Sequence, residues 1–167
     1  MWIDRVVELQ RGERLVAVKN VSLAEEHLHD HFPAEGDLTA LPIMPASLII
    51  EGMAQSAGIL VGHANDFREK VILAKVNRAE LEADVAPGQT IRFTATVERL
   101  DHTGAATRGI VELLEPGSAN AREIGRIDLM FAHIDNNLAG IEFPSHNFVF
   151  GEGFKTLLRT SGIDVPA

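Results

Sequence analysis

An apolar stretch from residue 41 to residue 62 limits the possible folds of this chain more than any other feature. It is long enough to cross a bilayer, but it contains two prolines, Glu51 and Gln55. A carboxylate at the centre of a membrane span costs at least ~2.5 kcal/mol. Pro45 suits the first turn of a helix, where a missing N–H does no harm. The stretch therefore predicts one buried helix from about Pro45 to Asn65.

The interior of this helix is crowded with small residues. Glycine costs about 0.8–1.0 kcal/mol relative to alanine inside a helix, so repeated glycines predict that other elements pack very close to the helix backbone. Ser47 is available to cap the first turn. The small residues are Gly52, Ala54, Ser56, Ala57, Gly58 and Gly62.

The segments on either side of the helix have strand patterns. Residues 90–100 place Ile91, Phe93, Ala95 and Val97 on one face and polar residues on the other, as a half-buried strand does. Short turns rich in proline and glycine separate the later segments and predict an antiparallel meander. The predicted strands are 3–9 and 14–21, which form a hairpin, and then 71–83, 90–100, 106–115 and 122–134, with a loop at 34–42.

One long buried helix and about six antiparallel strands predict an α+β architecture in which the sheet wraps around the helix. We expect one such domain over residues 1–134. Residues 135–167 are expected to form a C-terminal extension packed on the same domain, with a short helix near residues 152–161.

Composition excludes several classes of function. The 167 residues contain no cysteine and no tyrosine, so disulfides, thiolate metal sites, cysteine nucleophiles and phenolic acids are excluded. The formal net charge of −9, from 15 basic and 24 acidic residues, disfavours a nucleic-acid partner. The first residues do not have the pattern of a signal peptide. We therefore expect a cytoplasmic protein that binds neither nucleic acid nor membrane.

Two polar residues are poorly explained by packing. Glu51 lies within the apolar run of the predicted helix, where burial would raise the pKa of its carboxyl group. His31 lies where the chain enters the loop, and histidine titrates near pH 6.5. If both face one cavity, they form a general acid/base pair. It is equally open that Glu51 is a satisfied core residue or lies at a subunit boundary, and that His31 is solvated.

Several segments recur in the order of a known family. They are Asp4-Arg5-Val6, Lys19-Asn20-Val21-Ser22 with Glu25, His31-Phe32-Pro33, Pro42-Ile43-Met44-Pro45, Leu48 to Gln55 (LIIEGMAQ), Pro87-Gly88-Gln89 and Met130-Phe131-Ala132. Over about residues 3–134 the chain resembles the (3R)-3-hydroxyacyl-acyl-carrier-protein dehydratases. These are enzymes of fatty-acid synthesis with the hot-dog fold, an antiparallel sheet wrapped around one long central helix.

The resemblance implies a role for each matching residue. His31 matches the catalytic histidine and Glu51 the catalytic acid, and the two would remove water from a 3-hydroxyacyl thioester to leave a trans-2-enoyl thioester. The backbone N–H of Ala46 matches the donor to the thioester carbonyl. Gln55, one turn after Glu51, would orient the carboxylate, unless it is an ordinary buried amide.

The family also implies the partners of the protein. The substrate would be an acyl-carrier-protein or coenzyme A thioester, with no cofactor and no metal. The histidine and glutamate of one site come from different subunits, so a homodimer, or a higher oligomer of dimers, is expected. Because the chain is acidic, an acidic carrier would need a local basic patch, for which the candidates are Arg68, Lys70, Lys75 and Arg78.

The sequence departs from the family pattern near the predicted site. The interval from Pro33 to Pro42 is longer, so the loop 34–41 carries an insertion. Ala46 replaces a glycine of the family, and Asp30 replaces the glycine before the histidine.

Rival functions remain open from sequence alone. His27-Leu28-His29-Asp30-His31 is similar to the HxHxDH motif of metallo-hydrolases, although it is one residue too short, and histidines that alternate on a strand would share one face. A hot-dog thioesterase and a non-catalytic acyl-thioester-binding protein are also compatible with the sequence.

Overall fold

The computed structural model describes residues 1–118, 120–134, 144 and 147–164. The secondary structure of this part follows the predicted order closely. Its elements are β1 (Arg5–Gln10), β2 (Arg14–Asn20), α1 (Glu26–His29), α2 (Ala46–Ala64), β3 (Val71–Leu81), β4 (Thr90–Asp101), β5 (Gly104–Leu114), β6 (Ala121–His133) and α3 (Glu152–Thr160).

The long helix α2 lies where the sequence predicts it. Pro45 is the N-cap residue and has an extended backbone. At the other end, the Asn65 N–H donates to the Gly62 carbonyl and the Asp66 N–H to the His63 carbonyl. The prediction that Ser47 caps the first turn is wrong, because no side chain of the described residues caps this end. Ser47 lies inside the helix, one position beyond Ala46, whereas a capping side chain belongs to the residue that precedes the first turn.

The six strands form one antiparallel sheet in the order β1-β2-β4-β5-β6-β3. The predicted meander is correct for β4, β5 and β6 but wrong for β3, which pairs with β6 and not with β4. The connection from β3 to β4 is too long for a tight turn and crosses the N-terminal end of α2. There Met44 N–H donates to the carbonyl of Val85, which is fully buried. This crossing carries the chain from one edge of the sheet to its interior.

The sheet curls around α2, which contacts strands β2 to β6. The alternation in β4 is confirmed, since Ile91, Phe93 and Ala95 are fully buried and Val97 is partly buried. Burial of a large apolar side chain contributes roughly 1.5–3 kcal/mol, so the faces of α2 that meet the sheet supply much of the core. The fully buried large side chains include Leu15, Met53, Ile59, Leu60, Phe93, Ile124, Ile127 and Leu129.

The predicted close approach to the α2 backbone is confirmed at two glycines. A Cβ atom added at Gly52 would lie 2.6 Å from the Phe93 ring and 2.9 Å from the carbonyl oxygen of Trp2. A Cβ atom at Gly62 would overlap the ring of Phe150 and lie 2.9 Å from that of Phe67. Only glycine leaves room for these groups.

The predicted short helix in the tail is present as α3. Its Leu157 and Leu158 are buried in the core. The helix contacts β1, and Ser161 Oγ, just after it, accepts a hydrogen bond of 3.0 Å from the backbone N–H of Val6. The remainder of the predicted extension 135–167 lies partly outside the described residues.

Candidate active site

The first turn of α2 faces a cavity of about 370 Å³. Ala46 opens the helix and lines this cavity together with Ile43, Met44, Pro45 and Ile49. The first N–H groups of a helix have no partner within the helix, and the helix dipole adds partial positive charge there. This end of α2 can therefore stabilise negative charge on an oxygen that enters the cavity.

Glu51 lies about one and a half turns further along α2 and is exposed in the single chain. The expectation that its carboxylate is buried is therefore wrong for one subunit. The apolar pattern of the stretch is real, but Glu51 lies on the side of α2 that the chain's own sheet leaves uncovered. None of the described residues buries this carboxylate.

Gln55 holds the carboxylate of Glu51 in place. Its Nε2 donates to Glu51 Oε1 at 2.9 Å, and its Oε1 accepts a hydrogen bond of 2.8 Å from the backbone N–H of Trp2. Because the amide is bonded at both ends, its orientation is fixed. The hydrogen bond from Gln55 to Glu51 that the sequence suggested is therefore present, and the backbone of Trp2 holds the Gln55 amide in place.

Glu51 and Gln55 lie at one end of a groove of about 270 Å³ between α2 and β3. Among the described residues that line this groove, they are the only ones with polar side chains. An apolar groove with a few convergent polar groups is the usual form of a small-molecule site. The other lining residues are Ala54, Gly58, Val71, Ile72, Leu73, Phe131, Val149, Phe150 and Phe154.

Sequence reasoning missed the three residues that the tail contributes to this groove. Val149, Phe150 and Phe154 lie far from the motifs in sequence, and the predicted helix near 152–161, which contains Phe154, carried no sign that it lines a site. The only available signal was the density of large apolar residues in an otherwise polar tail.

His31 lies just beyond the single-turn helix α1 and is partly buried. Its Nδ1 is 2.7 Å from the carbonyl oxygen of Leu28. A carbonyl only accepts hydrogen bonds, so Nδ1 carries a proton and the Nε2 of the neutral ring keeps its lone pair. His31 thus has the tautomer of a base that acts through Nε2. It lines neither of the two cavities above, so the single chain does not bring His31 together with Glu51 in either of them.

The predicted loop 34–41 is a small ordered hairpin. Phe32 pairs with Leu41 and Glu35 with Leu38 as isolated antiparallel bridges, and the Leu41 N–H donates to the Phe32 carbonyl at 3.0 Å. Phe32, Leu38 and Leu41 are exposed. The insertion therefore presents apolar side chains next to His31.

The histidine-rich segment does not have the geometry that the metal interpretation requires. His27 and His29 lie on α1, and residues two apart on a helix do not share a face. His27 instead packs edge-on against Trp2, with ring centroids 5.1 Å apart. Its Nδ1 lies 3.7 Å from Glu25 Oε2. Within the described part of the chain, no group of three His, Cys, Asp or Glu residues could hold a metal ion.

The four basic residues considered as a carrier-binding patch do not form an exposed set. Lys70 is buried, and Arg78 pairs with Glu80. Among the residues that the structure describes, no helix combines the length and the apolar character needed to cross a membrane.

A six-stranded antiparallel sheet curled around one central helix defines this chain as a hot-dog-fold protein. Solved structures support this class. The dehydratase heterocomplex ApeI:P from Xenorhabdus doucetiae matches with a TM-score of 0.58 at 15% identity, over 81% of this chain and 84% of that one. An acyl-CoA hydrolase from Agrobacterium tumefaciens matches with a TM-score of 0.57 at 14% identity, over 77% and 46% of the two chains. At such identities the likeness shows the fold alone.

The chain belongs to the FabA-like domain family, whose family model matches residues 1–115. The 3-hydroxyacyl-acyl-carrier-protein dehydratase FabZ of Clostridium tetani is 31% identical over 132 residues, which cover 78% of this chain and 84% of that protein. FabZ of Granulibacter bethesdensis is 39% identical over 107 residues, 62% of this chain and 58% of that protein. The match to the second relative thus spans less than two thirds of its length. The predicted hot-dog fold and family are confirmed.

Proposed function

We propose that this protein is a dehydratase that converts 3-hydroxyacyl thioesters, carried by acyl-carrier protein, to trans-2-enoyl thioesters in fatty-acid synthesis. The observation that carries the proposal is the position of Glu51, which Gln55 orients at the polar end of an apolar groove. Membership of the FabA-like family and the two FabZ relatives support the reaction class. A coenzyme A thioester presents the same reacting group, so we expect it to be turned over as well.

In the proposed reaction, His31 Nε2 removes a proton from C2 of the substrate. The electron pair of the broken C–H bond forms the C2–C3 double bond, and the C3–O bond breaks. Glu51 enters the cycle protonated and gives its proton to the departing hydroxyl, which leaves as water. The proton on His31 then returns to Glu51 through solvent, which resets the pair.

Negative charge develops on the thioester oxygen as the C2 proton leaves. The Ala46 N–H, at the N-terminus of α2, is the donor assigned to this oxygen. It lines the cavity at the start of the helix. The methyl group of Ala46 leaves the backbone N–H in place and narrows the approach to it.

The proposed active unit is a homodimer in which His31 of one subunit meets Glu51 of the other. The two edges of the sheet differ in a way that supports this. The outer edge of β1 is partly covered, because Val6 N–H bonds to Ser161 and α3 contacts β1. Strand β3 pairs with β6 alone among the described strands, and its Leu73 and Val76 are exposed. A long open edge with apolar residues favours pairing with a second chain.

The test is turnover of a trans-2-enoyl thioester and of its 3-hydroxy counterpart by the wild type and two variants. His31→Ala and Glu51→Gln are each expected to lower kcat by about 10²–10⁴-fold, the usual contribution of a general acid or base. His29→Ala and Glu26→Gln are matched controls, since both residues are exposed on α1, and they are expected to keep full activity.

The same assay separates the two rival functions. A thioesterase would release free thiol from a saturated acyl thioester, and the release would not require a 3-hydroxyl group. A non-catalytic binding protein would bind the thioester without turnover. Either result, or full activity in both site variants, contradicts the proposed assignment.

A further inference from the structure

The C-terminal segment beginning at Asn147 is fixed against the turn between α2 and β3. Asn147 Nδ2 donates to the carbonyl groups of Phe67 and Glu69, at 2.9 and 3.0 Å, and its Oδ1 accepts a hydrogen bond of 3.1 Å from the Val149 N–H. One amide thus uses both its donors and its acceptor to hold the segment. The residues that follow are therefore placed with defined geometry.

Phe150 follows this anchor and is only 5% exposed. Its ring packs edge-on against Phe67 and Phe154, with centroid separations of 4.8 and 5.7 Å. Gly62 makes room for it, because a Cβ atom there would overlap the Phe150 ring. Phe150 therefore lies against the C-terminal part of α2, and Phe154, partly buried, extends the same aromatic cluster.

Phe150, with Phe154 packed against it, lies toward the end of the groove away from Glu51. Glu51 and Gly58 both line the groove and are seven residues apart on α2, which corresponds to a helix rise of about 10 Å. Gly62, which Phe150 contacts, lies one turn beyond Gly58. The groove thus runs from a carboxylate at one end to an aromatic wall at the other, and apolar side chains line the space between.

We propose that Phe150 and Phe154 form the closed end of the acyl-binding groove and limit the length of acyl chain that the enzyme accepts. The inference rests on the proposed dehydratase function, because it places the thioester at Glu51 and directs the alkyl tail away from it. Both residues lie beyond the 1–115 region that matches the family model, so this limit is set by a segment outside the matched domain.

Phe154 is the residue to change, because it is only partly buried and its loss is tolerated better than that of Phe150. Phe154→Ala lengthens the groove and is expected to raise kcat/KM for long enoyl thioesters relative to short ones by at least about tenfold. One methylene in an apolar pocket changes specificity by roughly 10–200-fold. Phe154→Trp is expected to shift the preference toward shorter chains.

Phe148→Ala is the matched control. Phe148 belongs to the same segment, is 45% exposed and is not among the residues that line the groove. Its chain-length profile is expected to equal that of the wild type. Thermal unfolding of each full-length variant, followed by circular dichroism, checks that the fold is retained.

The outcomes separate this inference from the function on which it rests. If the wild type is active and both Phe154 variants keep its chain-length profile, the aromatic wall does not set the limit. If the wild type turns over no thioester, the dehydratase assignment fails. Calorimetric binding of saturated acyl-coenzyme A compounds of increasing length then decides whether the wall still limits the tail. A longer preferred tail in Phe154→Ala supports the limit, and unchanged affinities overturn it.

Discussion

Glu51 is useful to a reaction only if its carboxylate points in one direction, and Gln55 provides that constraint. The amide joins the carboxylate to the backbone N–H of Trp2. A misplacement of about 1 Å at a catalytic group can lower the rate by about 10²-fold. Gln55→Leu is therefore expected to lower kcat by roughly 10- to 100-fold.

Steady-state kinetics check this positioning role. Loss of the hydrogen bond is expected to lower kcat with little change in KM, because Glu51 loses the contact that orients it. Gln55→Glu, which keeps the size of the side chain but not the donor, serves as the comparison. Equal kcat in Gln55→Leu and the wild type would contradict the role of Gln55.

At the residue scale, the sequence identified candidate residues but not their surroundings. Glu51 was identifiable because a carboxylate within an apolar run needs an explanation, and His31 because of the motif that follows it. Exposure of Glu51 was not predictable, because an apolar helix face looks the same in sequence whether its own sheet or another subunit covers it. The groove residue Phe150 was missed because its link to α2 through Gly62 is a contact between distant positions.

The glycines of α2 show how closely other elements pack against this helix. Alanine substitutions at two of them are expected to have opposite effects on the stability of the fold. Gly62→Ala is expected to destabilise the fold by about 1–3 kcal/mol, since the added methyl overlaps Phe150. Gly58→Ala places its methyl 3.6 Å from Phe131, an ordinary contact, and is expected to gain up to about 1 kcal/mol from helix propensity. Urea unfolding of both variants measures the difference. Equal stabilities would mean that Phe150 does not pack against Gly62.

The C-terminal turn of α2 contains a group that makes stability depend on pH. Burial and the nearby Arg11 lower the pKa of His63 below its usual 6.5, with Asp66 acting weakly in the opposite direction. The unfolded chain therefore binds this proton more tightly than the folded protein does. The contribution of His63 to stability is complete above pH 6.5 and is lost as pH falls from 6.5 through the lowered pKa.

The measurement is the free energy of unfolding at pH values on either side of 6.5. We expect it to fall on the acid side, and less steeply in His63→Gln than in the wild type. An identical dependence on pH in the two proteins would show that His63 is not responsible.

At the element scale, the sequence predicted the features that depend on interactions between residues close together in the chain. Pro45, the run of small residues and the alternation of β4 are short-range patterns, and α2 and the strands occur where these patterns predict them. The position of β3 beside β6 is different, because it depends on a crossing over the end of α2 that no turn motif records. The capping role of Ser47 was mispredicted for a related reason. It required Ser47 to precede the first helical residue, and the helix begins one residue earlier, at Ala46.

The whole molecule has one edge partly covered by α3 and one edge, β3, beside the groove that contains Glu51. The hairpin that follows His31 exposes Phe32, Leu38 and Leu41 on the same chain. A single subunit therefore presents the proposed acid in a groove, the proposed base elsewhere and apolar surface near both. Pairing of two subunits would bring the base of each to the acid of the other, with the acyl tail in the groove.

The central claim is that each active site takes His31 from one subunit and Glu51 from the other. Mixing the inactive His31→Ala and Glu51→Gln proteins, with subunit exchange through unfolding and refolding, tests it most directly. In a random equal mixture, half the dimers are mixed and each has one intact site, so about a quarter of wild-type activity is expected to return. If exchange is verified by mass spectrometry and activity stays at the level of the separate variants, the shared site does not exist.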